Sequence, residues 1–190
     1  MSLKHALLGI LSYRPMTGYE IKQHMESSIS YFWSAPLSQI YRTLEALEQE
    51  GLVTKEIQIQ EGKPNRHFHS TTAKGREELL QWLQEPLYEL PKLRDASLVK
   101  TFFGALLAKE EMLKFLQQQK QLHEERLAAY REIESKFLPP FVEQIVKSRP
   151  EAKHHGLFWK LTLLHGIAYE ETYIAWCEKA ITEVKRSRSG

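Results

Sequence analysis

Apolar residues at Leu3, Ala6, Leu7, Ile10 and Leu11 recur at intervals of three and four, which predicts an amphipathic helix ending near Tyr13. Pro15 interrupts it. Thr17-Gly18-Tyr19-Glu20 then reads as a Thr-x-x-Glu capping box ahead of Ile21, Met25 and Ile29. A third helix opens at Ser34 and Pro36, with Leu37, Ile40, Leu44 and Leu47 in helical spacing until Gly51 stops it. The period next falls from 3.6 to 2. Val53, Ile57 and Ile59 alternate with polar neighbours, Glu61 to Asn65 forms a turn around Gly62 and Pro64, and Arg66 to Thr71 returns as a second strand. A fourth helix from Thr72 carries Leu79, Leu80, Trp82 and Leu83 and ends at Pro86. Three helices followed by a hairpin amount to a helix-turn-helix with a wing.

Pro86 to Pro91 reads as a linker, which divides the chain into domains at 1–86 and 92–190. The second domain reads as all helical. Leu98 to Leu107 predicts a short apolar helix, and Glu110 to Phe137 a long, charge-dense one that Pro139 and Pro140 should break. A last helix from about Ala152 to Lys185 sets Leu163, Ile167, Ile174, Cys177, Ile181 and Val184 in a seam interrupted at Glu170. Such a seam predicts packing against the long helix of the same chain and, together with it, a dimer interface. The fold class expected is therefore mainly α: a winged helix-turn-helix with a small β-hairpin wing, plus an all-α dimerisation domain.

Composition narrows the function. At 190 residues, 42% hydrophobic and 26% charged, the sequence is that of an ordinary globular protein. The longest stretch without a charged side chain, Ser27 to Tyr41, contains Pro36 and five serines, so no membrane span is expected. The single cysteine, Cys177, cannot form an internal disulfide, which suits the cytoplasm. His67 and His69 share a strand face but have no cysteine or acidic pair at ligand spacing, so neither metal nor other cofactor is expected. No phosphate cradle, nucleophile elbow or grouped acid, base and nucleophile stands out, which argues against an enzyme. The first 85 residues hold 9 basic and 10 acidic side chains, so a case for nucleic acid must rest on local placement.

The third helix supplies that placement. Opposite its leucines lie Ser38, Gln39, Arg42 and Ala46, a polar face whose arginine and glutamine have the forked geometry that reads guanine and adenine edges. Glu45, Glu48 and Glu50 crowd the other end, so only the N-terminal half should enter a major groove. Tyr41 sits at the margin of the apolar stripe, with core packing and a phosphate contact equally open to it. Lys63 and Arg66 flank the turn of the hairpin, where they can lie beside a phosphate backbone. Phe102, Trp159 and Tyr173 are candidates for lining a cavity that takes a planar effector.

These residues carry a resemblance. Leu7-Leu8-Gly9-Ile10-Leu11, Pro15-Met16-Thr17-Gly18-Tyr19-Glu20-Ile21, Ser38-Gln39-Ile40-Tyr41-Arg42-Thr43-Leu44 and Leu47-Glu48-Gln49-Glu50-Gly51-Leu52-Val53 resemble the N-terminal domain of PadR-family transcriptional regulators. His69-Ser70-Thr71 departs from the pattern, since the family tends to carry an aromatic or aliphatic residue before that threonine. Phe102-Phe103-Gly104-Ala105-Leu106 and the long helix after it are similar to the dimerisation domain of the family's longer subgroup. The resemblance implies a homodimer on a palindromic operator, generally a repressor, often released by a small aromatic or hydrophobic compound. It also implies that Tyr19, Ser38, Gln39, Tyr41 and Arg42 meet DNA, with Lys63 and Arg66 in the wing. The alternative is a winged-helix module that binds protein and not DNA.

Overall fold

The first helix, α1 (Ser2–Leu11), turns Leu3, Leu7, Leu8, Ile10 and Leu11 inward, as their spacing requires. It ends two residues before Tyr13. The computed structural model describes residues 2–29, 32–62, 64–90, 94–148 and 154–187, and the chain divides into two compact units, Met1–Pro91 and Lys92–Gly190.

In the first unit, α2 (Gly18–Ser28) is capped by Thr17: its hydroxyl accepts from Glu20 N, while the Glu20 carboxylate accepts from Thr17 N. Ile21 and Met25 point from α2 into the core. Helix α3 (Leu37–Gln49) buries Ile40, Leu44 and Leu47 almost completely against α1 and α2. Its end is fixed at Gly51, whose φ of +71° is the left-handed conformation that glycine adopts without strain. Strands β1 (Val53–Gln58) and β2 (Arg66–Thr71) pair antiparallel, Val53 opposite Thr71 and Gln58 opposite Arg66. A backbone bridge between Met16 and His69 ties β2 to the loop before α2. Helix α4 (Ala73–Gln84) begins with Thr72 as its cap. It approaches so closely that a Cβ on Gly75 would lie 2.1 Å from the Leu52 carbonyl oxygen. Trp82 stacks flat on His5 at 4.4 Å, which fastens α4 to α1.

The second unit is helical throughout its described residues. The expected apolar helix at Leu98 to Leu107 is instead α5 (Ala96–Phe102) followed by a 3₁₀ turn at Gly104–Leu106. Asp95 caps α5 by accepting from Ser97 N at 2.7 Å. Helix α6 (Lys109–Glu132) continues through a π-helical turn (Ile133–Phe137) into α7 (Leu138–Ser148). Pro139 and Pro140 therefore do not break the helical path. They directly follow the π turn, whose wider register accommodates the two hydrogen bonds that the prolines cannot donate.

Helix α8 (His155–Arg186) lies along α6. The start expected at Ala152 lies outside the described residues. The packing of the seam against the long helix is as expected. Leu163, Ile167 and Cys177 are buried within the same chain, Ile174, Ile181 and Val184 are half-buried, and α6 contributes Met112, Leu116, Leu127 and Tyr130 to the packing. Glu170 does not interrupt it: the side chain is 2% exposed and pairs with His123 of α6, with Arg126 Nη1 at 3.9 Å.

Candidate nucleic-acid interface

The burial of Ile40, Leu44 and Leu47 fixes the rotation of α3 and so decides what its opposite face shows. Ser38, Gln39, Tyr41 and Arg42 are all exposed. The side chains of Ser38, Gln39 and Arg42 have no partner among the described residues, so their hydrogen-bonding capacity is directed at solvent. The acidic end of α3 is partly neutralised: Glu48 pairs with Lys55 of β1 at 3.2 Å, and Glu50 with Lys4 of α1 at 2.9 Å. This is how a unit with a slight acidic excess can still offer a face without net negative charge.

Tyr41 answers the question its position on the stripe left open. Its ring packs over the first turn of α2, where a Cβ on Gly18 would meet Tyr41 Cε1 at 2.4 Å. Glycine is needed there because the two helices approach through that ring. Tyr41 is nonetheless 42% exposed, and Tyr19 beside Gly18 is exposed as well. Packing and exposure are thus combined in one residue.

Arg66, expected in the wing, also has partners within its own unit. Its guanidinium donates to Glu20 Oε1 at 3.2 Å and lies 4.8 Å from the centre of the Phe68 ring. Arg14 approaches the same oxygen at 3.9 Å. Burial opposes ionisation of Glu20, but the Thr17 amide and hydroxyl and the two guanidinium groups outweigh it, so its carboxyl titrates below the ordinary carboxylate value. Arg14 escaped the sequence reading. The only available signal was a basic residue three positions before the capping box. Lys63, the other wing cation, lies outside the described residues.

On the α3-facing side of the hairpin a small cleft of about 110 Å³ is lined by Tyr41, Leu44, Glu45, Glu48, Lys55, His67 and His69. His69 is buried and its Nδ1 has no partner among the described residues. Burial, joined by the charges of Lys55 and His67 and opposed by Glu48, depresses its pKa. No group of three His, Cys, Asp or Glu side chains among the described residues is placed to hold a metal.

The three effector candidates do not meet. Phe102 lines an apolar depression of about 770 Å³ on α5 with Leu98, Val99, Phe103 and the residues Arg94 to Ala96. Tyr173 stacks on His123 at 3.7 Å and directs its hydroxyl to Ser97 and Asp95 at the start of α5. Trp159 stands edge-on to His155, fourteen residues from Tyr173 and therefore about 21 Å away along α8. One small ligand cannot touch all three.

Comparison with known proteins agrees with this architecture. Residues 7–81 match the model of the transcriptional regulator PadR-like family, and residues 93–185 match that of the virulence activator alpha C-terminal domain. The negative transcriptional regulator PadR of Bacillus subtilis is 28% identical over 186 residues, 97% of this chain and 98% of that protein. The crystal structure of B. subtilis PadR in complex with operator DNA superposes with a TM-score of 0.81 at 26% identity, covering 97% of this chain and 99% of that one. The structure of B. subtilis PadR with p-coumaric acid has a TM-score of 0.74 at 23% identity, over 98% and 100% of the respective chains. No helix among the described residues is long and apolar enough to cross a membrane. The relatives are regulators and not enzymes. A winged helix-turn-helix unit that carries a PadR-like family domain is thus followed by a helical unit that carries a virulence activator alpha C-terminal domain, and the chain is homologous to B. subtilis PadR.

Proposed function

We propose that the protein is a cytoplasmic, sequence-specific DNA-binding repressor that acts as a homodimer. The observation that carries this reading is the outward face of α3: Ser38, Gln39 and Arg42 are exposed without described partners, on a helix whose other side is locked into the core. Inserted by its N-terminal half into the major groove, that face brings Arg42 and Gln39 to base edges, with Ser38, Tyr41 and Tyr19 at the flanking backbone. Arg66, and Lys63 by its place in the sequence, accompany them from the wing. B. subtilis PadR, solved in complex with operator DNA, supports DNA binding by this fold.

The test is selection of genomic fragments by the purified protein, followed by anisotropy titration of the recovered duplex and of a random one. Arg42→Ala should cost about 1–3 kcal/mol on the selected duplex and much less on the random one. No enriched fragment, or equal loss on both duplexes, overturns the reading and favours a protein-binding winged helix.

For dimerisation we assign a different surface from the α8 seam. Leu157, Phe158, Leu161 and Leu164 recur at helical spacing on α8 and are all exposed, so they form the apolar stripe available to a second copy. Two such copies would present their α3 helices to successive major grooves, roughly 34–36 Å apart. Leu161→Glu combined with Leu164→Glu should give folded monomers in sedimentation and much weaker operator binding. A dimer that survives both charges excludes this surface. A small aromatic or hydrophobic effector would find apolar contact at the Phe102 depression, and B. subtilis PadR, solved with p-coumaric acid, supports an effector of that class. Trp159 and Tyr173 do not line that depression, although the Tyr173 hydroxyl meets Asp95 at its edge.

A further inference from the structure

Glu20 gathers more cations than a helix cap needs. Its Oε2 accepts from Thr17 N at 2.8 Å and Thr17 Oγ1 at 2.9 Å, while Oε1 faces Arg66 Nη2 at 3.2 Å and Arg14 Nη1 at 3.9 Å. Two guanidinium groups on one carboxylate leave one positive charge unbalanced. The carboxylate is the sheltered member at 24% exposure, whereas Arg14 and Arg66 are 55% and 41% exposed. The negative charge is thus tucked beneath and the positive charges face water. A second surface arginine on an already paired oxygen adds little stability, because exposed pairs contribute about 0–1 kcal/mol and the two arginines repel each other. An anion placed between them relieves that repulsion, and the planar guanidinium fork matches the geometry of a phosphate.

The position of the pair identifies which phosphate. Arg14 also donates to the Pro15 carbonyl at 3.2 Å, so it is held at the entry to α2, and Arg66 is braced on Phe68. Between them the first turn of α2 presents Tyr19, and Gly18 of that turn lies under Tyr41 of α3. The base-reading helix thus touches the first turn of α2 through Tyr41 on Gly18, and the same turn holds the two arginines through Glu20. When the second helix of such a motif enters the groove, the first crosses the sugar-phosphate backbone.

We propose that Arg14 is a DNA-backbone contact and that it forms, with Arg66, a phosphate clamp for which Glu20 is the positioning residue. The inference rests on the DNA-binding reading above. Arg14 acts on charge alone and carries no base information, whereas Arg42 discriminates sequence.

The experiment uses the full-length protein and two labelled duplexes of about three helical turns, one recovered by genomic selection and one random, titrated across a series of salt concentrations. Arg14→Ala should weaken both duplexes by the same factor, about fivefold at 0.15 M salt, and reduce the salt slope by about one. Glu20→Gln retains a residue that also serves in the capping box, and a thermal melt verifies that the variant is folded at the temperature of the titration. The variant should weaken both duplexes even though it removes a negative charge, because the arginines lose their anchor. Arg14→Ala binding with the parent's affinity and slope overturns the clamp. Glu20→Gln binding more tightly overturns the positioning role and leaves Glu20 as a mere repulsive charge. Arg42→Ala serves as the separate control: failure of the parent to bind any duplex, or of Arg42→Ala to relax specificity, counts against the DNA reading itself, whatever Arg14 does.

Discussion

Replacing His123 by alanine tests the buried pair that joins α6 to α8. Glu170 is 2% exposed and His123 15% exposed, so the imidazole is the near and sheltered partner of a carboxylate that has left water. Removing the near hydrogen-bond partner of a buried carboxyl group strands it, at a cost of about 3–4 kcal/mol. Arg126 stands 3.9 Å from the other carboxylate oxygen but is 59% exposed, so solvent screening limits its compensation to about 1 kcal/mol. His123→Ala should therefore destabilise the second unit by about 3 kcal/mol, in line with the usual cost of stranding one member of a buried pair. For a unit of this size that lowers the melting temperature by about 12 °C or more. The assay is scanning calorimetry of the full chain, with His123→Leu/Glu170→Leu as the companion variant. Removing both polar partners should restore most of the loss, leaving only the stacking of Tyr173 on His123, about 1 kcal/mol, unrecovered. If His123→Ala is nearly neutral, or the double variant is as unstable as the single one, the pair does not carry the coupling argued here.

Two further outcomes follow from the first unit. Gly18→Ala places a Cβ 2.4 Å from Tyr41 Cε1, so the ring must rotate off α2; denaturant titration should show a loss of about 1–2 kcal/mol, and operator affinity should fall as Tyr41 leaves its place. Burial depresses the pKa of both His69 and His24 below the ordinary 6.5, so the unfolded chain binds protons that the native one refuses. Stability should therefore be level above about pH 7.5 and decline as pH falls below 6.5 through the depressed values; His69→Phe should flatten part of that slope, and an unchanged slope would show that His69 is not involved.

The winged helix was legible along the chain because each of its elements is specified locally. Leu37, Ile40, Leu44 and Leu47 define the buried side of α3 through the helical period alone, and by elimination the same spacing names Ser38, Gln39 and Arg42 as the outer side. Thr17 with Glu20, Gly51 and the prolines punctuate the elements through short-range hydrogen bonds and steric limits. Partners distant in sequence had no such signature. Nothing in the order of residues says that Glu20 meets Arg66 forty-six positions later, that Arg14 joins them, or that Tyr41 rests on Gly18. The second unit shows the same division. Periodicity found the seam of α8, but whether α6 or another chain fills it depends on which surface reaches it first in space. The burial of Glu170 became intelligible only once His123 stood opposite, because a charge leaves water only where the folded chain supplies its counterpart.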